Sequence, residues 1–184
     1  MKWFLFTYSL PPEPSRKRVF VWRQLKKAGA LFTEGGWLLP KKAPLAAAIE
    51  AITHTVEEMG GTTNLYVVTH FNEAQEQRTI ARFQQERERE YSEIISECRK
   101  TLRHIEREHQ AHRFNLEELE GDLEKIKRWF SEAKKRDFWQ VPAGKEVEEL
   151  MTELEARLAA FTQKTYDQAQ SSQEKAVSDC HGQT

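Results

Sequence analysis

Disulfides, membrane spans and secretion signals are all missing from this sequence. Its 184 residues hold two cysteines, which cannot make a disulfide framework. Cys98 sits in a helical pattern and is expected as a small core residue, whereas Cys180 lies in a polar stretch and carries little information. No run of 18 apolar residues occurs, so no membrane span is expected. The N-terminus, Met1-Lys2-Trp3-Phe4-Leu5-Phe6, is too short and too aromatic for a signal peptide and lacks a small-residue cleavage site. A cytoplasmic protein is therefore expected. Catalytic signatures are absent as well. There is no GxSxG, P-loop, GxGxxG or HExxH pattern, and the lone Gly35-Gly36 pair reads as a turn, not a phosphate cradle. No enzymatic activity, catalytic residue or cofactor is expected.

Acid is missing from one stretch in particular. Between Arg16 and Lys27 stand Arg16, Lys17, Arg18, Arg23, Lys26 and Lys27 with no Asp or Glu, in a chain of 28 basic and 29 acidic residues. Pro14-Ser15 reads as a helix start and Gly29 as its stop. A helical projection separates two faces. Val21, Trp22, Leu25 and Ala28 make an apolar stripe that can pack on a sheet. Arg16, Phe20, Arg23 and Lys27 fall opposite, with Val19 and Lys26 beside them. Arg18 projects toward the apolar side, where a buried salt bridge or a tether to other helices would also account for it. A basic face carrying an aromatic suits contact with phosphates. An ordinary solvated helix face would carry the same residues.

The surrounding sequence has two halves. Residues 1–71 hold nine basic and five acidic residues, net +4, and the remainder is net −5. The first half reads as β-α-β-β-α-β. Its strands are Lys2 to Ser9, ending at Pro11-Pro12, then Ala30 to Thr33, Trp37 to Leu39 and Asn64 to Phe71. Glu34-Gly35-Gly36 supplies the hairpin turn. A second helix starts near Pro44, carries Leu45, Ile49, Ile52, Val56 and Met59 on one stripe, and ends at Gly60-Gly61. This order predicts an α+β fold with a ferredoxin-like head. Two helices would cover one sheet face and leave the other in need of a partner.

From Asn72 the pattern becomes long helix. Ile80, Phe83, Arg87, Tyr91, Ile94, Cys98, Leu102, Ile105 and His109 follow a near-heptad, coiled-coil-like spacing. Such a helix must pack on later helices, on another chain, or both. Asn115 and Glu118 look like a capping box for a further helix whose inward residues are Leu116, Leu119, Leu123, Ile126 and Phe130. Phe138 to Gly144 breaks the pattern, and a last helix carries Val147, Leu150, Leu154, Leu158 and Phe161. The expected division is a head over 1–71, a long-helix bundle over 72–169 and a disordered tail over 170–184.

His104, Glu108 and His112 recur one turn apart, with His109 nearby, and are the candidate metal ligands. A polar helix flank, with His112 offsetting the terminal carbonyls, is the simpler account, and no companion Cys or Asp cluster is present. Trp3, Trp22 and Trp37 are expected in the core of the head. Trp139, beside Phe138, is expected to lock the helical half together.

Several strings resemble a known family. Pro14-Ser15-Arg16, Arg18, Trp22-Arg23, Leu25-Lys26 and Gly29 are similar to the N-terminal domain of ChrB, the chromate-resistance regulator. So are Trp37-Leu38-Leu39-Pro40, Gly60-Gly61, Arg87-Glu88-Glu90-Tyr91, Asp122-Leu123-Glu124-Lys125, Trp129 and Arg136-Asp137-Phe138. The resemblance spans about residues 2 to 166. It implies a bacterial regulator that binds the promoter DNA of a chromate-resistance operon and responds to chromate. Full-length members resemble a fusion with a second, C-terminal domain. The resemblance here covers only the first of these, as in a stand-alone or a truncated member, and a separate C-terminal-type sensor domain is a candidate partner. Chromate is a dianion, and the helix start with Arg16 and Arg18 would suit it as well as a DNA phosphate. The head also resembles the fold shared by CRISPR spacer-acquisition endonucleases and the middle domain of PaaX-type repressors. In those endonucleases a Tyr-Asp pair ends the first strand and the Asp holds a metal. Here Tyr8 is followed by Ser9, a poor ligand for a hard cation.

The combined expectation is a DNA-binding transcriptional regulator module. Arg16, Lys17, Arg18, Arg23, Lys26 and Lys27 would meet duplex DNA, and a homodimer would match a palindromic site. Two rivals use the same residues differently. One is a helical interaction or oligomerisation protein without DNA binding. The other is a metal- or oxyanion-binding protein using the His104 stripe or the Arg16 helix start.

Overall fold

The computed structural model of the chain describes residues 1–110 and 115–181, with the side chains of 1–108, 115–166 and 170. Its class is α+β and mostly helical. The elements run β1 (Trp3–Ser9), α1 (Ser15–Lys27), β2 (Leu31–Thr33), β3 (Gly36–Pro40), α2 (Ala43–Glu58), β4 (Thr62–Val68), α3 (Glu73–Gln110), α4 (Leu116–Lys135) and α5 (Ala143–His181). The first six follow the β-α-β-β-α-β order that turn residues and periodicity indicate. β2 and β3 are joined by the two residues Glu34-Gly35, since Thr33 pairs with Gly36. Both early helices stop by the same device. Gly29 and Gly60 take positive φ, and the next amides, of Ala30 and Gly61, bond back to the carbonyls of Leu25 and Val56.

The four strands form one antiparallel sheet in the order β2-β3-β1-β4. β1 is antiparallel to both β3 and β4, and β2 to β3. β1 and β2 therefore point the same way with β3 between them. β4 is an outer strand, paired along its whole length with β1 from Trp3↔Val68 to Ser9↔Thr62.

Two compact units share the chain. The first comprises Met1–Arg87 with Lys135–Trp139, and the second Glu88–Lys134 with the residues from Gln140 onward. α3 contributes to both.

In the first unit, α1 and α2 cover one face of the sheet. Phe4, Phe6, Trp37 and Leu39 pack there against Val21, Leu25, Ile49, Ile52 and Val56. The other face is covered around Trp3 by the opening turns of α3, through Ile80 and Phe83, and by Phe138 and Trp139. Trp3 is wholly buried, with ring centroids 5.8 Å from Phe83 and 6.0 Å from Trp139. Its indole N–H donates to Glu76 at 2.7 Å. Trp139 thus belongs to the first unit and does not lock the helical half as expected. Its aromatic partners, Trp3 and Phe83, lie in the first unit, and burial against aromatic rings outweighs sequence proximity to the helices.

The second unit is built from the later part of α3, from α4 and from α5. Tyr91, Ile94, Cys98, Leu119, Ile126, Val147, Leu154 and Phe161 form its core. The long helix does pack on later helices, as its length requires. Cys98 is fully buried, and burial pushes its thiol up to about 11. Asn115 precedes α4, and its side-chain amide donates to the Glu118 carboxylate. α5 runs on to His181, beyond Gln170, and residues 182–184 lie outside the described residues.

Candidate functional site

α1 is where chemistry is concentrated. Its first turn contains Arg16, Lys17 and Arg18 and no acid, and its last turn contains Lys26 and Lys27. A helix N-terminus carries partial positive charge, so cations there cost about 0.3–1 kcal/mol each at low salt. Lys27 and Lys26 at the other end are favourably placed. The N-cap is Pro14, and no side chain caps the free amides of this turn. Elsewhere this protein follows the electrostatic rule, with Glu73 and Glu76 opening α3, and Glu117 and Glu118 opening α4.

The six cations divide into two groups. Lys17 donates from Nζ to the Met59 carbonyl at 3.0 Å, where it satisfies the C-terminal end of α2. Arg18 donates to the Pro12 carbonyl at 2.9 Å. It also lies close enough to Tyr8 to pull its phenol down, while burial, the larger influence, holds that phenol above its usual value. Lys26 pairs with Glu86 at 3.1 Å. The other three, Arg16, Arg23 and Lys27, are exposed and make no ion pair or hydrogen bond among the described residues. They share one stripe, because positions 16, 20, 23 and 27 recur at three and four.

Phe20 lies on the same stripe and is exposed, as the projection predicts. Trp22 departs from expectation. It is 48% exposed, not buried with Val21 and Leu25. The reason is angular. At about 100° per residue, Trp22 stands roughly 60° from Leu25 and 100° from Val21, at the flank of the stripe. With Val19 also exposed, α1 presents Val19, Phe20 and Trp22 among its free cations. Beside the stripe, Phe20, Gln24 and Lys27 of α1 face Ala48, Ala51 and Thr55 of α2 across a shallow groove. The α2 side of this groove was not apparent from the charge pattern. Its signal is the small-residue run Ala46-Ala47-Ala48 with Ala51, which lets a neighbouring surface come close to the helix.

The remaining candidates are dispersed. His104 and Glu108 face each other on α3, with Nε2 3.8 Å from the carboxylate. His112 lies outside the described residues. Among the described residues no three His, Cys, Asp or Glu side chains come together as a metal site. Ser9, at the end of β1, pairs with Thr62 of β4 and is exposed. No helix of the described residues is long and apolar enough to cross a membrane.

Against known proteins, the family model described as "Protein ChrB, N-terminal" matches residues 18–172, from within α1 into α5. No curated protein and no solved structure gives a match. The matched span takes in most of both compact units. The chain belongs to the ChrB N-terminal family and is thereby related to the chromate-resistance regulators.

Proposed function

We propose that this chain is a DNA-binding module that controls a chromate-resistance operon. Its head adopts the ferredoxin-like variant of the α+β class, and the open face of α1 meets the phosphate backbone. Arg16, Arg23 and Lys27 supply the charge. Lys17, Arg18 and Lys26, already engaged within the first unit, hold the helix at its ends. The module acts by binding and not by catalysis, and it works as a homodimer so that two copies of α1 address a two-fold site.

The observation that carries this reading is the unpaired cationic stripe on a helix whose first turn has no acid. At the helix start, Lys17 and Arg18 are engaged within the fold, but folding alone does not favour the open Arg16 there. A bound phosphate would relieve their mutual repulsion and receive the free first-turn amides. The test is competition between duplex DNA from upstream of the chain's own operon and a scrambled duplex of equal length. Preference for the upstream duplex supports the module. Equal displacement by both would reduce it to a non-specific polycation.

One observation favours a second reading. Val19, Phe20 and Trp22 are apolar and exposed on the same helix, and a protein partner could cover them. That reading predicts complex formation insensitive to salt, whereas phosphate contact is steeply salt-dependent.

A further inference from the structure

The two edges of the sheet are treated very differently. β2, at one edge, is only three residues long. Its Phe32 carbonyl accepts a hydrogen bond from Arg82 at 3.1 Å, which occupies part of the free ladder. Its exposed Phe32 ring lies 5.0 Å from the ring of Trp37. This edge is short and obstructed, as sheet edges in monomeric proteins usually are.

β4, at the other edge, has none of these protections. It is seven residues long, Thr62 to Val68, and pairs with β1 in an unbroken register with no bulge. It contains no proline. From Gly60 to Asn72 there is no Lys, Arg, Asp or Glu, in a chain that is 31% charged. Leu65, Tyr66 and Val67 are 47%, 53% and 45% exposed. Cross-strand pairing assigns their faces. Leu65 stands opposite Phe6 and Val67 opposite Phe4, on the face that α1 and α2 cover, while Tyr66 stands opposite Leu5 on the other. Apolar side chains are thus open on both faces of an unpaired edge.

We infer that β4 is the seam of a homodimer, in which it pairs antiparallel with β4 of a second copy to make one continuous eight-stranded sheet. The occupant is a second copy because the strand is complementary to itself. A two-fold axis through Leu65, the central residue, pairs Leu65 with Leu65, Asn64 with Tyr66, Thr63 with Val67 and Thr62 with Val68. Every pair then joins residues on the same face, as antiparallel pairing requires. No like charges oppose, which is the usual obstacle to self-pairing. Main-chain hydrogen bonds supply the affinity and the apolar side chains the register. An axis normal to the sheet also leaves both copies of α1 on the same face, where one duplex could reach both. The inference deepens the homodimer of the proposed function and rests on that part of it alone.

The test uses the full chain without DNA. Sedimentation velocity is expected to give a dimer, and Val67→Lys to halve the mass. Phe32→Lys, on the opposite edge, is expected to leave it unchanged. In a Cys180→Ser background, Leu65→Cys should form an intermolecular disulfide on mild oxidation, because a residue on the axis faces its own copy at Cα distances of about 4.5–5.5 Å. Phe32→Cys should not. A wild-type monomer would overturn both the seam and the homodimer. A dimer that survives Val67→Lys and leaves Leu65→Cys uncrosslinked would overturn the seam and keep the homodimer.

Discussion

Replacing Arg16, Arg23 and Lys27 together by alanine separates binding from folding on a single helix. These three side chains have no partner among the described residues, so the folded state loses little. Arg16 is unfavourable at the helix start and Lys27 favourable at its end, by about 0.3–1 kcal/mol each, and the two changes offset. The melting temperature should therefore move by no more than about 2–4 °C. DNA affinity should fall much further. Each phosphate contact contributes a slope of about −0.9 in log affinity against log salt. At about 0.15 M salt that is roughly 0.7 log units per contact, so three contacts amount to about a hundredfold. The variant should show a slope shallower by about 2.7 for each copy bound. Fluorescence anisotropy with labelled promoter duplex, run beside thermal melts, reads both quantities. Lys17→Ala is the contrasting control. It removes the Lys17–Met59 hydrogen bond at 3.0 Å and should cost about 1 kcal/mol of stability with a smaller change in slope. An unchanged slope in the triple variant, or a collapse of its melting temperature, would refute the division of these cations into open and engaged groups.

Three further outcomes follow from the packing. Glu76 accepts from the Trp3 indole, its main influence, and from the N-terminal amine, and both hold its carboxyl below the usual glutamate value of 4.5. A depressed acid stabilises the fold above its unfolded pKa and loses that contribution as pH falls through the folded one. Melts taken from pH 7 down through 4.5 should therefore show a weaker acid decline in Glu76→Gln than in wild type. Gly61→Ala should destabilise by about 1–3 kcal/mol in urea titrations, because the added methyl would press into the Ser9 carbonyl and within 2.8 Å of Val56. Gly35→Ala, which meets open space, should stay within about 0.5 kcal/mol. Cys98, with its thiol pushed up to about 11 by burial, should resist iodoacetamide at pH 8 in a Cys180→Ser background until the second unit unfolds. Rapid native labelling would show that the helical core opens readily.

Most element positions are legible because punctuation and periodicity agree. Pro14 and Gly29 bracket α1, Gly60-Gly61 ends α2, and the apolar stripes of α2, α4 and α5 become buried, only partly so at Met59, Leu116 and Leu150. The misread residues fail for two reasons, an angular offset on the helix and partners distant in sequence. Trp22 fits an apolar stripe by type but sits at its flank, and type alone does not reveal a 60° offset. Trp139 follows a helix that packs in the second unit, yet its ring joins Trp3 and Phe83 in the first. The sharing of α3 between two units is invisible to periodicity, because the helix continues unbroken from Glu73 to Gln110. At the candidate site, the basic stripe was plain from spacing. The engagement of Lys17 and Lys26 was not, because Met59 and Glu86 lie 42 and 60 residues away.

The most direct test is the salt dependence of wild-type binding to promoter duplex from the chain's own operon, measured by anisotropy from about 50 to 200 mM salt. With three open cations on α1 meeting phosphates, log affinity should fall against log salt with a slope of about −2.7 for one copy, and more steeply for a dimer. A slope near zero, or no binding at the lowest salt, would contradict a phosphate-contacting role for the basic face of α1.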